Sequence, residues 1–199
     1  MLVSIVVLSF GLLGAAGLQS FAIKSNREGR LQSAASTLAR EYAEMVRGNK
    51  QIGIQEDKTK NPYLLNDTII KTADNIPAGW TYCLTAGCDS ASLTAAQSQK
   101  KVAESEVVEW LARVQDELPS AWVRVCFDDA PFDSSGLPQW DCTAPAGGAA
   151  QTSIIVIKIG WTQSAIDRAQ TGDAALIKAD VRPTLVFPVT GGNDLGTTP

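Results

Sequence analysis

The sequence predicts an α+β arrangement: one long N-terminal α-helix, a membrane half plus an amphipathic half, packed on an antiparallel β-sheet head with one additional helix. Three observations carry that expectation. Residues 1–23 contain no charged side chain. Residues 24–50 continue without a proline and place apolar residues three and four positions apart. The remainder alternates strand-like apolar runs with loops around one further helical stretch. At 199 residues the chain suits one compact domain with a long extension.

The first 23 residues, MLVSIVVLSFGLLGAAGLQSFAI, interrupt their aliphatics only with Ser4, Ser9, Gln19, Ser20 and three glycines. As a helix they would extend about 35 Å, enough for a hydrocarbon core of about 30 Å. Leu2, Ile5, Leu8, Phe10, Leu12, Leu13, Leu18 and Phe21 are the side chains expected to meet lipid or neighbouring helices. A buried core helix seldom runs so far without a charge. A cleaved signal peptide would use the small residues at Ala15-Ala16-Gly17 or Ser20-Phe21-Ala22. However, no basic residue precedes the apolar run, which exceeds the usual 7–15 residues of a signal.

Past Ile23, Leu31, Ala34, Ala35, Leu38, Tyr42 and Met45 make a single apolar stripe. Leu31, Ala35, Leu38, Tyr42 and Met45 are the face expected to dock the head. Glu41, Glu44 and Arg47 occupy other faces, and Gly48-Asn49 offers a C-terminal stop. The economical reading is one helix of about 47 residues, against a globular mean of 11–12.

Charge divides the chain in the same place. Six basic and three acidic residues give residues 24–50 a net +3, which leaves −7 for the rest of a chain whose total is −4. No histidine is present, so the commonest general base and transition-metal ligand is missing. The mildly acidic balance argues against nucleic-acid binding. Four cysteines, an even number, suit disulfides in an oxidising compartment. The cluster Lys24, Arg27 and Arg30 would ordinarily hold its side of a membrane in the cytoplasm, whereas the cysteines place the head outside. A stronger basic segment upstream of Met1 would resolve that conflict.

The head elements follow in order. Residues 51–77 read as a polar, loop-rich passage containing Asn61-Pro62-Tyr63 and the apolar pairs Leu64-Leu65 and Ile69-Ile70. Residues 79–83 (GWTYC) read as a first strand, aromatic and β-branched. Residues 91–118 read as a helix with Leu93, Val102, Val107, Trp110, Leu111, Val114 and Leu118 on its apolar side, capped by Asp89 or Ser90 and ended by Pro119. Residues 121–127 alternate as a strand, and residues 152–161 (TSIIVIKIGW) are the strongest strand, with Lys158 its sole charge. Residues 184–189 form a weaker final strand whose Pro188 suggests a sheet edge. Residues 143–150 read as a flexible loop and 190–199 as a mobile tail.

Local pairing, Cys83 with Cys88 and Cys126 with Cys142, is the choice among three possible connectivities, since each bridge would close a loop beside a strand. The 16-residue closure is worth roughly 3 kcal/mol in a loop-entropy picture. A zinc site would need all four thiolates at unsuitable spacing. Asp128-Asp129, Asp133 and Asp141 lack the pattern of a calcium loop and read as a solvated acidic loop. Gly11, Gly14 and Gly17 would allow close helix packing or local loosening. No catalytic, cofactor-binding or metal-binding constellation is expected.

The stretch LVSIVVLSFGLLGAAGLQ (2–19) resembles the membrane half of a type IV pilin helix, and in particular that of PilV-type minor pilins. LAREYAEMVRGN (38–49), Asn61-Pro62-Tyr63, the pair Cys83/Cys88, Glu109-Trp110 through Leu118-Pro119, and Val156 to Trp161 extend the likeness over most of residues 1–189. The resemblance implies a non-enzymatic minor pilin of a Gram-negative type IV pilus (type IV pilus modification protein), active in pilus assembly, twitching motility and cell adhesion. In that picture residues 1–23 are the transmembrane and filament-core half of the helix. Residues 24–50 are its amphipathic half, 51–189 a periplasmic head and 190–199 a flexible tail. Implied partners are other minor and major pilins, a PilY-type tip adhesin, the inner-membrane assembly platform and, before assembly, membrane lipid. The implied location is the inner membrane, single-pass, then the surface pilus or its tip. The family also carries a basic leader, a methylated Phe and a Glu, all of which would lie upstream of Met1; an in-frame leader in the genomic DNA is therefore expected. A type II secretion pseudopilin shares the long helix. A membrane-anchored periplasmic ligand-binding or enzymatic domain is the alternative of another class.

Overall fold

Helix α1 runs unbroken over Leu2–Gly48. In its apolar half Ser9 Oγ donates to the Ile5 carbonyl at 2.7 Å, the back-bonding that lets a hydroxyl sit in a helix facing no water. The computed structural model describes residues 2–71, 77, 79–88, 92–143, 154–164, 176–177 and 181–189. The expected loop 143–150 beyond Thr143 and the tail 190–199 lie outside the described residues.

After α1, a single turn α2 (Lys50–Gly53) folds back so closely that a Cβ on Gly53 would lie 2.8 Å from both Val46 Cγ1 and the Val46 carbonyl oxygen. Strand β1 (Leu65–Lys71) follows, in the passage expected to be loop. Its hydrogen-bonding partner is β2 (Trp122–Phe127), with Leu65 opposite Val125 and Lys71 opposite Trp122, across a register shift between Leu65 and Ile70. That shift and the polar Asn66 and Asp67 conceal the strand's alternation. The strand expected at 79–83 is absent. Gly79 takes a positive φ of 89°, and the chain then coils into the turn α3 (Cys83–Ala86), closed by the short disulfide. A bridge spanning five residues favours a tight turn over an extended strand.

Helix α4 covers Ala95–Glu117, shorter at its start than expected. Its cap is Thr94, not Asp89 or Ser90. The Thr94 hydroxyl accepts from the Gln97 amide, and the Gln97 side chain accepts from the Thr94 amide at 2.8 Å. This reciprocal pair satisfies two otherwise orphaned groups. Ser120, at φ 49°, turns the chain between Pro119 and the next strand.

The main sheet is antiparallel, in the order β1-β2-β3-β6, with β2 at Trp122–Phe127, β3 at Ile155–Gly160 and β6 at Leu185–Val189. The expected edge position of the last strand is observed, and Pro188 sits opposite Val156. A two-stranded ribbon of β4 (Gln163–Ser164) and β5 (Leu176–Ile177) lies between β3 and β6 in the chain. One core unites the second half of α1, α4 and the sheet, with Tyr42, Tyr63, Trp110, Ile157, Ile159 and Trp161 fully or almost fully buried. The architecture is the α+β one expected.

Candidate functional site

The exposed half of α1 is the most unusual surface of the molecule. Phe10 is 72%, Leu18 73% and Ile23 69% exposed, and Ile5, Leu8, Leu12, Leu13 and Phe21 are similarly bare. Of Leu2 only the backbone is described. These side chains point in all directions around the helix, not along one stripe. Each such side chain gains about 1.5–3 kcal/mol when removed from water, so a continuous sleeve of them calls for an apolar surround. The helix is long and apolar enough to cross a membrane.

The head takes hold of α1 at Glu28, whose carboxylate accepts from the Trp161 indole at 3.3 Å. Of the expected docking face, Ala35, Leu38 and Tyr42 are buried, while Leu31 and Met45 are half-buried against the core. Ala39, Ala43 and Val46 are also buried. Sequence reasoning passed over them because two alanines carry little hydrophobic signal, yet small residues are what allow close helix approach.

Polar bonds lock this seam. The Trp110 indole donates to the Leu38 carbonyl at 2.9 Å, and the Asn49 amide donates to the Gln99 carbonyl at 2.9 Å. Those two contacts show that α1 and α4 run antiparallel. Arg113 pairs with Glu41 between the same helices. The Tyr42 ring meets Trp110 edge-on at 4.7 Å, and its hydroxyl donates to the Tyr63 carbonyl at 2.6 Å. Tyr63 in turn donates to Glu106. Burial pushes the Tyr42 phenol well above its usual range, helped by Tyr63. Burial also raises Tyr63, and the Glu106 hydrogen bond and charge raise it further. The Asn61-Pro62-Tyr63 motif has a structural task. The Asn61 side-chain amide donates to the Gly53 and Gln55 carbonyls, and its oxygen accepts from the Tyr63 amide.

The cysteines pair as Cys83–Cys88 and Cys126–Cys142, with Cα separations of 4.9 Å and 6.3 Å. Sulfurs within reach of Asp128 are thereby committed to a disulfide and cannot serve as thiolate ligands. The longer bridge closes a loop whose base is built around a buried ion pair. Lys158 and Asp128 are both 0% exposed at their side chains. Asp128 Oδ1 also accepts from the Ala130 and Thr143 amides, each at 3.0 Å, and Lys158 donates to the Asp141 carbonyl. Asp128 is therefore not part of a solvated acidic loop. It needs a cation inside the protein, and Lys158 from the central strand supplies one.

Farther out, Asp133 accepts from the Ser135 and Leu137 amides and pairs with Arg182 at 2.6 Å. The Leu137 amide bond first, and Arg182 with it, lower the Asp133 pKa. The loop presents Phe132 and Leu137, about half exposed, on a pinned frame. Asp141 remains 92% exposed at its side chain. Asp128 and Asp133 are thus held by separate internal partners.

Two shallow, open grooves flank α4. One of about 510 Å³ is lined by Gln51, Ile54, Thr59, Lys60, Gln97 and Lys100; the other, about 480 Å³, by Asn49, Cys88, Gln99 and Glu106. The fold and surface define an α+β head carried on a helix able to span a membrane. Compared with known families and proteins, the chain matches no family model, no curated protein and no solved structure.

Proposed function

We propose that this protein is a PilV-type minor pilin of a Gram-negative type IV pilus, acting by association and not by catalysis. The observation that carries the reading is the division of α1. One continuous 47-residue helix is bare and apolar around its whole circumference at first, then fixed rigidly to a disulfide-bearing α+β head. In this reading the bare half stores the subunit in the inner membrane, with the head in the periplasm. It then packs among the helices of other minor and major pilins when the assembly platform extracts it. A place in the tip complex, beneath a PilY-type adhesin, follows from the family resemblance in the sequence.

The burial of Ala35, Ala39, Tyr42 and Val46 gives the mechanism its stiffness. Force applied to the helix during extraction is transmitted to the head through Trp110, Arg113 and Tyr63. Deleting the gene in the native host should abolish surface pili and twitching, and a head-tagged subunit should appear in sheared filaments. Intact pili with lost exoprotein secretion would instead identify a type II secretion pseudopilin.

A further inference from the structure

We infer that Lys24, Arg27 and Arg30 form a collar that binds anionic phospholipid headgroups on the outer face of the membrane crossed by residues 3–23. The proposal rests on the membrane-anchored part of the reading above and not on the filament.

All three side chains are exposed, and none makes an ion pair or hydrogen bond among the described residues. Their spacing of three spreads them over about 120° of the helix circumference and about 9 Å of its length. The acid in their midst, Glu28, is turned toward the head, where it accepts the Trp161 indole N–H. The antiparallel α4 brings its acidic end, Asp116 and Glu117, toward this level, yet neither pairs with the collar. Among the described residues these three cations have no counter-charge.

The first charge places them in depth. Residues 2–23 of α1 carry no charged side chain, and a charge held in hydrocarbon is costly, so the apolar layer ends ahead of Lys24. The next 9 Å then falls in the headgroup layer, roughly 5–8 Å thick on each side, and long Lys and Arg stems extend the reach. Basic residues on the translocated side work against the usual charge bias for insertion. Residues 51–199 beyond them carry −7 and are repelled by an anionic surface. A cationic arc at the boundary offsets that repulsion and fixes the height at which the head stands.

The test uses the full chain in phosphatidylcholine vesicles containing trace spin-labelled phosphatidylglycerol or phosphatidylcholine. Electron paramagnetic resonance reads the fraction of each lipid held immobile at the protein. The collar predicts about a threefold or greater preference for phosphatidylglycerol, shrinking at high salt. The triple variant Lys24→Gln, Arg27→Gln, Arg30→Gln should bring it to parity. Arg40→Gln, which removes an exposed cation with no partner among the described residues about 15 Å farther along the helix, should leave it unchanged. Equal fractions for the native chain, a preference surviving the triple variant, or equal loss in Arg40→Gln would overturn the proposal. A chain stripped from the vesicles by carbonate would overturn the membrane reading itself.

Discussion

Replacing Asp128 by alanine should destabilise the folded head by about 3–5 kcal/mol, the cost of breaking a buried pair and leaving one charge behind. The structure shows what is left. The Lys158 ammonium stays fully buried with the Asp141 carbonyl as its one remaining partner among the described residues, and the Ala130 and Thr143 amides lose an acceptor 3.0 Å away. For a chain of this size each kcal/mol moves the melting temperature by about 2–4 °C, so the expected fall is roughly 6–20 °C. Circular-dichroism melts of the oxidised full chain in detergent measure it. The double variant Asp128→Asn, Lys158→Met keeps an acceptor for both amides and a stem of similar length in the strand. It should lose less than either single change, because no unpaired charge remains. A single-variant loss below about 1 kcal/mol, or a double variant equal to the sum of the singles, would refute the reasoning from burial.

Other substitutions test the remaining contacts. Gly53→Ala should cost about 1–3 kcal/mol, because its Cβ would press on the Val46 backbone 2.8 Å away. Gly29→Ala, with open space around it on α1, should stabilise by about 0.5–1 kcal/mol in the same melts. Non-reducing peptide mapping should recover Cys83 joined to Cys88 and Cys126 to Cys142, and a Cys83–Cys126 peptide would refute the pairing. Serine at Cys126 and Cys142 together should cost about 2–5 kcal/mol by chemical denaturation. Absorbance titration should find Tyr42 and Tyr63 protonated well past pH 10, where their unfolded counterparts ionise. Since the raised folded pKa favours the native state only below the unfolded value, their contribution is present to about pH 10 and lost above it. Tyr63→Phe should soften that alkaline loss.

The long helix was legible because its signal is redundant: no charge to Ile23, no proline to Gly48, and a stripe that recurs every turn. Its docking side was also legible where large residues mark it, at Leu38 and Tyr42, and less so at Ala39 and Ala43. Strand β1 was hidden by Asn66, Asp67 and the shifted register, since a strand that pairs irregularly need not alternate in sequence. Residues 79–83 misled in the other direction. Their aromatic and β-branched composition suits a strand, but a left-handed glycine and a five-residue disulfide impose a turn. The Thr94–Gln97 cap was written in the sequence as the pattern T-x-x-Q and passed over for earlier candidates. Lys158 and Asp128 could each be seen, one as the odd charge in a greasy strand and the other as an acidic loop residue. Their union was not visible, because it depends on two chain segments meeting 30 positions apart.

The central claim is that residues 1–23 act as a specific packing element of a filament and not as a generic anchor. Exchanging them for an unrelated membrane helix of equal length, in phase with Lys24, tests it most directly. The account predicts that the chimera inserts, forms both disulfides and keeps a folded head, yet is missing from sheared surface filaments, with piliation lost. Normal piliation and incorporation of the chimera would contradict it.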